Sequence, residues 1–260
     1  MSEEHSFSSE PSAEPSPHFY EVMLKIQADA AFAEERSLLC GMEQISTPRI
    51  LDYGCGNGYY LSLLGALIPN AELLGVDVDL KFVSVATRHF GHLARFTTDL
   101  EGEAVRSFEP NGIVLRLVLH HLQEPVAAFS RLVDRFPNLR HIYVVNPCDK
   151  HFSLQPGMNN FLRDLGEIRQ PHRKRRDIHD EIRCVALSKG FEEAATRELV
   201  IATNSPVEKN QMFAYMFATA CYGGRTAPKP DTFEELIEWL SDPAGSAQYG
   251  LVASSFVRST

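Results

Sequence analysis

A chain of 260 residues, 44% of them hydrophobic, is long enough to bury one sizeable α/β core. Its formal net charge of −9 opposes polyphosphate, so nucleic acid is not the expected partner, and it has no run of about 18 apolar residues to cross a membrane. Five cysteines, an odd number without a C-x-x-C pair, argue against a disulfide framework and a zinc site, and match a reducing cytoplasm.

The opening stretch, MSEEHSFSSEPSAEPSP (1–17), is acidic and rich in Ser and Pro. It predicts a disordered tail and lacks the basic start and apolar stretch of a secretory signal. A helix follows over 19–40, with Val22, Ile26, Ala30 and Ala33 at helical spacing. Then strands and helices alternate: strand 49–53, helix 59–68, strand 72–77, helix 80–90, strand 94–98, a short piece at 103–108, strand 113–119, helix 125–136 and strand 141–146. The runs ILDY, IVLRLVL and IYVVN are apolar on both faces, as buried parallel strands are. Beyond them the pattern changes to helix 177–189, strand 198–203, helices 207–221 and 232–240, and strand 249–257. Strand–helix alternation with right-handed crossovers predicts an α/β fold with a doubly wound, mostly parallel, seven-stranded sheet. One domain is expected over 18–260, with helical cap elements near 18–45, 150–176 and 204–247.

The turn after the first strand carries the chemistry. In an open α/β sheet, ligands bind beyond the carboxyl ends of the strands. The sequence GCGNG (Gly54, Cys55, Gly56, Asn57, Gly58) permits a sharp turn and keeps side chains away from a ligand. The following helix points its first amides at that ligand. The second strand ends on Asp77, where an acid can take two hydrogen bonds from ribose hydroxyls. The glycine spacing is G-x-G-x-G, with Tyr59 where a dinucleotide fingerprint wants its last glycine. Asp52 stands where a pyrophosphate would be unwelcome and a cationic or amino group would not. Asp79 is the better helix cap of the two neighbouring acids.

LDYGCGNG resembles the first motif of class I S-adenosylmethionine-dependent methyltransferases, and LLGVDVD resembles their second. The likeness runs in order from about Arg49 to Thr203, through FTTDLEG, VLRLVLHHLQEP and LSKGFEEAATRELVIAT. It implies a Rossmann-like methyltransferase fold and S-adenosyl-L-methionine as cofactor. It assigns Asp77 to the ribose and Val78 to the adenine. Asp99, with Leu100 beside it, would serve the adenine amino group. The likeness implies methyl transfer to O, N, S or C of a substrate, and the Met- and aromatic-rich cap segments suit a small organic or amino-acid-like one. Two departures, Asn111–Gly112 before the fourth strand and FPNLRH before the fifth, touch none of these contacts.

The remaining candidates keep two readings each. Arg116 inside an apolar strand either approaches cofactor or substrate or forms a structural ion pair. His120 and His121 are the catalytic candidates, or polar tips at a strand end. If the strand continues through them, only one faces the site. No metal ligand set is read. His18, Phe19, Tyr20 and Met23, the insert HFSLQPGMNNF and the segment NQMFAYMFATACYGG are the candidates for gripping a substrate. The basic stretch PHRKRRDIHDEIR leaves an RNA methyltransferase as one alternative, against a solvated helix face interrupted by acids. Cofactor binding with non-methylating chemistry is the other. NPCD (146–149) is like an asparagine–proline motif of amide and base methyltransferases, but follows the fifth strand rather than the fourth.

Overall fold

The structure, a computed structural model, describes residues 17–170, 178–221 and 227–258. The sequence-predicted tail up to residue 16 and the first half of the basic stretch lie outside those residues.

Helix α1 (Pro17–Glu35) leads through a 3-10 turn, Arg36–Leu38, to the short α2 (Cys40–Glu43). A single helix over 19–40 was expected. The alternating part then runs β1 (Arg49–Tyr53), α3 (Tyr59–Leu67), β2 (Glu72–Val76), α4 (Leu80–Phe90), β3 (Arg95–Thr97), α5 (Glu103–Arg106), β4 (Gly112–Arg116), α6 (Pro125–Arg135) and β5 (His141–Leu154). It ends with α7 (Asn159–Arg169), α8 (His179–Ser188), β6 (Glu192–Ala202), α9 (Pro206–Ala220), α10 (Pro230–Ser241) and β7 (Ala247–Val257).

The strands form one seven-stranded sheet in the order β3-β2-β1-β4-β5-β7-β6. The first five are parallel, and β7 runs antiparallel to both β5 and β6. The expected doubly wound, mostly parallel sheet is therefore present. Its direction of winding reverses between β1 and β4, which sets the ligand crevice at their carboxyl ends.

Alternation along β5 divides the core. Tyr143 and Val145 join a cluster with Ala28 and Ala31 of α1, Leu61 and Leu64 of α3, and Met212 and Met216 of α9. Ile142 and Val144 face the other side, with Phe129 and Val133 of α6 and Ile182 of α8. Both faces are apolar because both are covered by helices.

Three boundaries differ from the sequence reading in ways that shape the site. Strand β4 stops at Arg116, not at 119, because Leu117 takes a left-handed φ of 55°. Strand β5 continues past 146 to Leu154, held by β7 across a register shift between Cys148 and Ser153. Helix α7 begins in the last three residues of the insert, within the region near 150–176 where a helical cap element was expected without helix bounds. Its first amides, those of Asn160 and Phe161, donate to Glu235 of α10 at 2.9 and 2.8 Å. A cap supplied from 75 residues away leaves no local signal. Asn111, a departure from the family pattern, has a structural task. Its side chain accepts from Arg49 N at 2.7 Å and donates to Thr47 O at 2.9 Å, fixing the start of β4 against β1.

Candidate active site

The turn after β1 is built from three left-handed glycines, with φ of 81°, 52° and 76° at Gly54, Gly56 and Gly58. A side chain at Gly54 would also overlap Val118, which packs against it from the end of β4. The amides of Gly54 and Cys55 both donate to Val76 O, at 2.8 and 3.1 Å, so the turn is fastened to the end of β2. The same end carries Asp77. One of its carboxylate oxygens accepts from Gly56 N at 2.8 Å and the other from Asp79 N at 3.0 Å. Asp79 in turn accepts from Lys81 N at 2.8 Å and caps α4, as the sequence predicted. The two neighbouring acids thus divide the work, one to the helix and one to the turn.

Burial raises the pKa of Asp77. It acts more strongly on Asp52, 2% exposed on β1, which burial pushes up to about 7 against the opposing charge of Arg116. Cys55 in the turn is buried, and its thiol is held well above the ordinary range by burial and by Asp52 and Asp77. It is a packing group, not a nucleophile. Val78 beside Asp77 is 75% exposed, an apolar surface open at the crevice. Asp99 is exposed just beyond β3 and accepts from Glu101 N at 3.2 Å, while Leu100 beside it is partly buried. The structure therefore gathers Asp52, the glycine turn, Asp77, Val78, Asp99 and Leu100 at the carboxyl ends of three adjacent strands, β1, β2 and β3.

Arg116 is turned to α1. It pairs with Glu35 at 3.1 Å, with both side chains almost wholly buried, and donates to Gln27 O at 2.9 Å. Its guanidinium lies 4.7 Å from the Tyr60 ring centroid, and Tyr60 OH donates to Glu35 at 2.6 Å. Of its two sequence readings, the ion pair is the one seen here. Its influence on the crevice passes through the field it exerts on Asp52.

For the histidines, the condition of a continuing strand is not met. The strand ends before them, and Leu119–His121 forms a 3-10 turn. Strand alternation therefore does not set them on opposite faces. Their ring centroids are 4.0 Å apart, and both line one cleft, with His120 buried and His121 exposed.

That cleft has a cavity volume of about 130 Å³ and is open to solvent on one side. Its walls come from α1 (Tyr20, Met23, Leu24, Gln27), the stretch after β4 (Leu117), the extended β5 (Cys148, Asp149, Phe152), α7 (Leu165, Arg169), α9 (Tyr215, Thr219) and β7 (Tyr249). All three predicted cap segments contribute. Helix α1 also joins the two sites. A Cβ at Gly56 would stand 2.9 Å from Leu24, and the Tyr20 ring lies 4.9 Å from that of Phe82 on α4. Gln27, Leu117 and Tyr249 were missed by sequence reasoning. Nothing local marks them, since Gln27 sits in an ordinary helix and Tyr249 in an ordinary strand. Among the described residues, no cluster of His, Cys, Asp and Glu could hold a metal ion. No helix there is long and apolar enough to cross a membrane.

Comparison with known proteins adds family evidence. Residues 24–180 match a family described as a methyltransferase domain. An uncharacterized protein of Synechococcus is 31% identical over 115 residues, 39% of this chain. The match spans only 26% of that relative's own length. Among solved structures, YcgJ from Bacillus subtilis superposes with a TM-score of 0.52 at 16% identity, over 88% of this chain and 99% of its own. A protein of Anabaena variabilis, assigned as a methyltransferase of an antibiotic biosynthesis pathway, gives 0.58 at 12% identity over 86% of this chain and 96% of its own. The [4+2]-cyclase SpnF gives 0.56 at 12% identity, over 96% of this chain and 99% of its own. At such identities the likeness establishes the fold.

Proposed function

The chain belongs to the methyltransferase-domain family, and from that premise we propose that it transfers a methyl group from S-adenosylmethionine to a small organic or amino-acid-like acceptor held in the cleft beside His120 and His121. The observation that carries this reading is the junction of two sites. An acid-lined glycine turn and a largely apolar cleft meet under α1, at the carboxyl ends of β1 and β4.

The residues present fit the cofactor. The turn offers backbone without side chains, and Asp77 offers a carboxylate for ribose hydroxyls. Val78 supplies exposed apolar surface for a flat base, with Asp99 and Leu100 at the next strand end. Asp52, buried and costly to ionise, gains from a cationic neighbour. When bound, S-adenosylmethionine supplies a methyl group on a cationic sulfur, already activated for in-line displacement.

The chain's own part is then mainly positioning. Apolar walls orient the acceptor and exclude water, which is worth several kcal/mol on the barrier. A base is needed only where the accepting atom carries a proton. His121, exposed at the cleft, would take that proton with His120 behind it, contributing roughly 10²–10⁴-fold. The formal charge of −9 and the apolar walls favour a small molecule over RNA. A cytoplasmic location is part of the same reading.

The test is turnover. The purified chain is incubated with S-adenosylmethionine and separate pools of phenols, amines, thiols, carboxylic acids and RNA, and S-adenosylhomocysteine is quantified. Release with a small-molecule pool is the expected result. Release with RNA alone, lost steeply as salt rises, would replace the small-molecule reading. Tight cofactor binding without release in any pool would favour non-methylating chemistry.

A further inference from the structure

We propose that Tyr249 is the specificity-determining residue of the cleft, its hydroxyl hydrogen-bonding a neutral polar atom of a ring-sized acceptor. The proposal rests on reading the cleft as the acceptor site.

Tyr249 stands near the start of β7, at the crevice end of the sheet, and is 7% exposed. It lines the cleft, yet its hydroxyl is buried without a hydrogen-bond partner. Native chains rarely leave such a group unmet, because its lost hydration is not returned. None of its neighbours among the described residues meets it. Tyr215, stacked on it with centroids 5.0 Å apart and planes at 19°, takes a hydrogen bond from Gln27 Nε2 at 3.4 Å. Glu35 and Arg116, the nearest charged groups, are paired with each other. A partner for Tyr249 therefore has to arrive with the occupant of the cleft.

The chemistry of that occupant follows. Burial raises the phenol pKa far beyond neutrality, so the group stays a hydroxyl, both donor and acceptor. Because Glu35 and Arg116 offset each other, no net charge nearby rewards an ionised group at this depth. A hydroxyl or carbonyl oxygen meets both conditions. Phe152 and Tyr215 add aromatic surface to the lining, which suits an aromatic or similarly planar body.

The experiment uses protein saturated with S-adenosylhomocysteine and two probes of nearly equal shape, phenol and toluene. Kd is measured for each by ligand-observed NMR, in the wild-type chain and in Tyr249→Phe, which keeps the stacked ring. The preference for phenol relative to toluene is expected to fall roughly five- to tenfold in the variant. Comparing preferences between the two proteins cancels the probes' different hydration. The melting temperature is expected to stay level or rise, because the deleted hydroxyl had no partner. If both probes bind and their relative preference is unchanged, the role of Tyr249 is overturned while the cleft reading stands. If neither probe binds the wild-type chain, both fall together. A variant that unfolds, or melts several degrees lower, also overturns the proposal, since the hydroxyl would then be committed to structure.

Discussion

Asp77 has both carboxylate oxygens aimed by backbone amides, so its charge is placed at the glycine turn ahead of any ligand. A hydrogen bond from a buried hydroxyl to a carboxylate is worth about 1.5–3 kcal/mol. Asp77→Ala is therefore expected to weaken S-adenosylmethionine binding roughly 10- to 100-fold by calorimetry. An unchanged Kd in a folded variant would remove the ribose assignment. Asp52 carries a pH signature. The unfolded carboxyl ionises near 3.8, while the folded one holds its proton to about 7. Its contribution to stability is thus fully present below about pH 4 and is lost as pH rises through about 7. A cationic ligand favours the ionised form, so affinity for S-adenosylmethionine should rise with pH up to about 7, by as much as about tenfold per unit. Asp52→Asn should flatten both trends, read as Tm and Kd between pH 5 and 8. At this scale the glycines, Asp52, Asp77 and the capping Asp79 were legible because their roles are set by local turn and helix-start geometry. Arg116 was ambiguous because its partner, Glu35, lies 81 residues away.

Among the elements, α1 is held unequally. Its carboxyl-terminal end is fixed by the buried Glu35–Arg116–Tyr60 group. Its middle is tied by the exposed contacts of Lys25 and Asp29 with Tyr59, at 2.8 and 2.6 Å. Removing one partner of a buried pair costs about 3–5 kcal/mol, so Arg116→Met should lower Tm by on the order of 10 °C. Arg116→Met combined with Glu35→Leu should recover much of that loss in a thermal melt. Truncation separates tail from helix. Deletion through Pro17 should leave turnover intact, whereas deletion through Cys40 should abolish it, because the second removes one wall of the cleft and the cover of the turn. Equal turnover in both truncated chains would deny α1 that role. Elements with a clear period, such as α4 and α6, were placed within a residue or two from the sequence. Helix α7 and the extension of β5 were not, because each is stabilised by a distant partner, Glu235 for one and β7 for the other.

Across the whole molecule, the cofactor crevice is local and the cleft is not. The crevice draws on β1 to β3, which lie consecutively in the chain. That is why the sequence reveals it. The cleft needs α1 and β7, from opposite ends of the described chain, brought side by side. The cap segments that line it could be named from the sequence but Gln27, Leu117 and Tyr249 could not, and the condition set for the histidines, a strand running through them, is not met because Leu117 turns left-handed. Removing residues 247–257 should be more damaging than any single substitution, since β7 bonds to both β5 and β6. Circular dichroism should show no cooperative melt for such a chain.

The position of β7 also orders events during synthesis. Strand β6 is made first, yet among the described strands its only neighbour is β7, which emerges two helices later. Until β7 is made, β6 lacks its partner strand and β5 has an open edge. The full sheet therefore has to wait for the eleven residues of β7, which lie between β5 and β6. The cleft gains its last wall at that point, because the same strand brings Tyr249 into it.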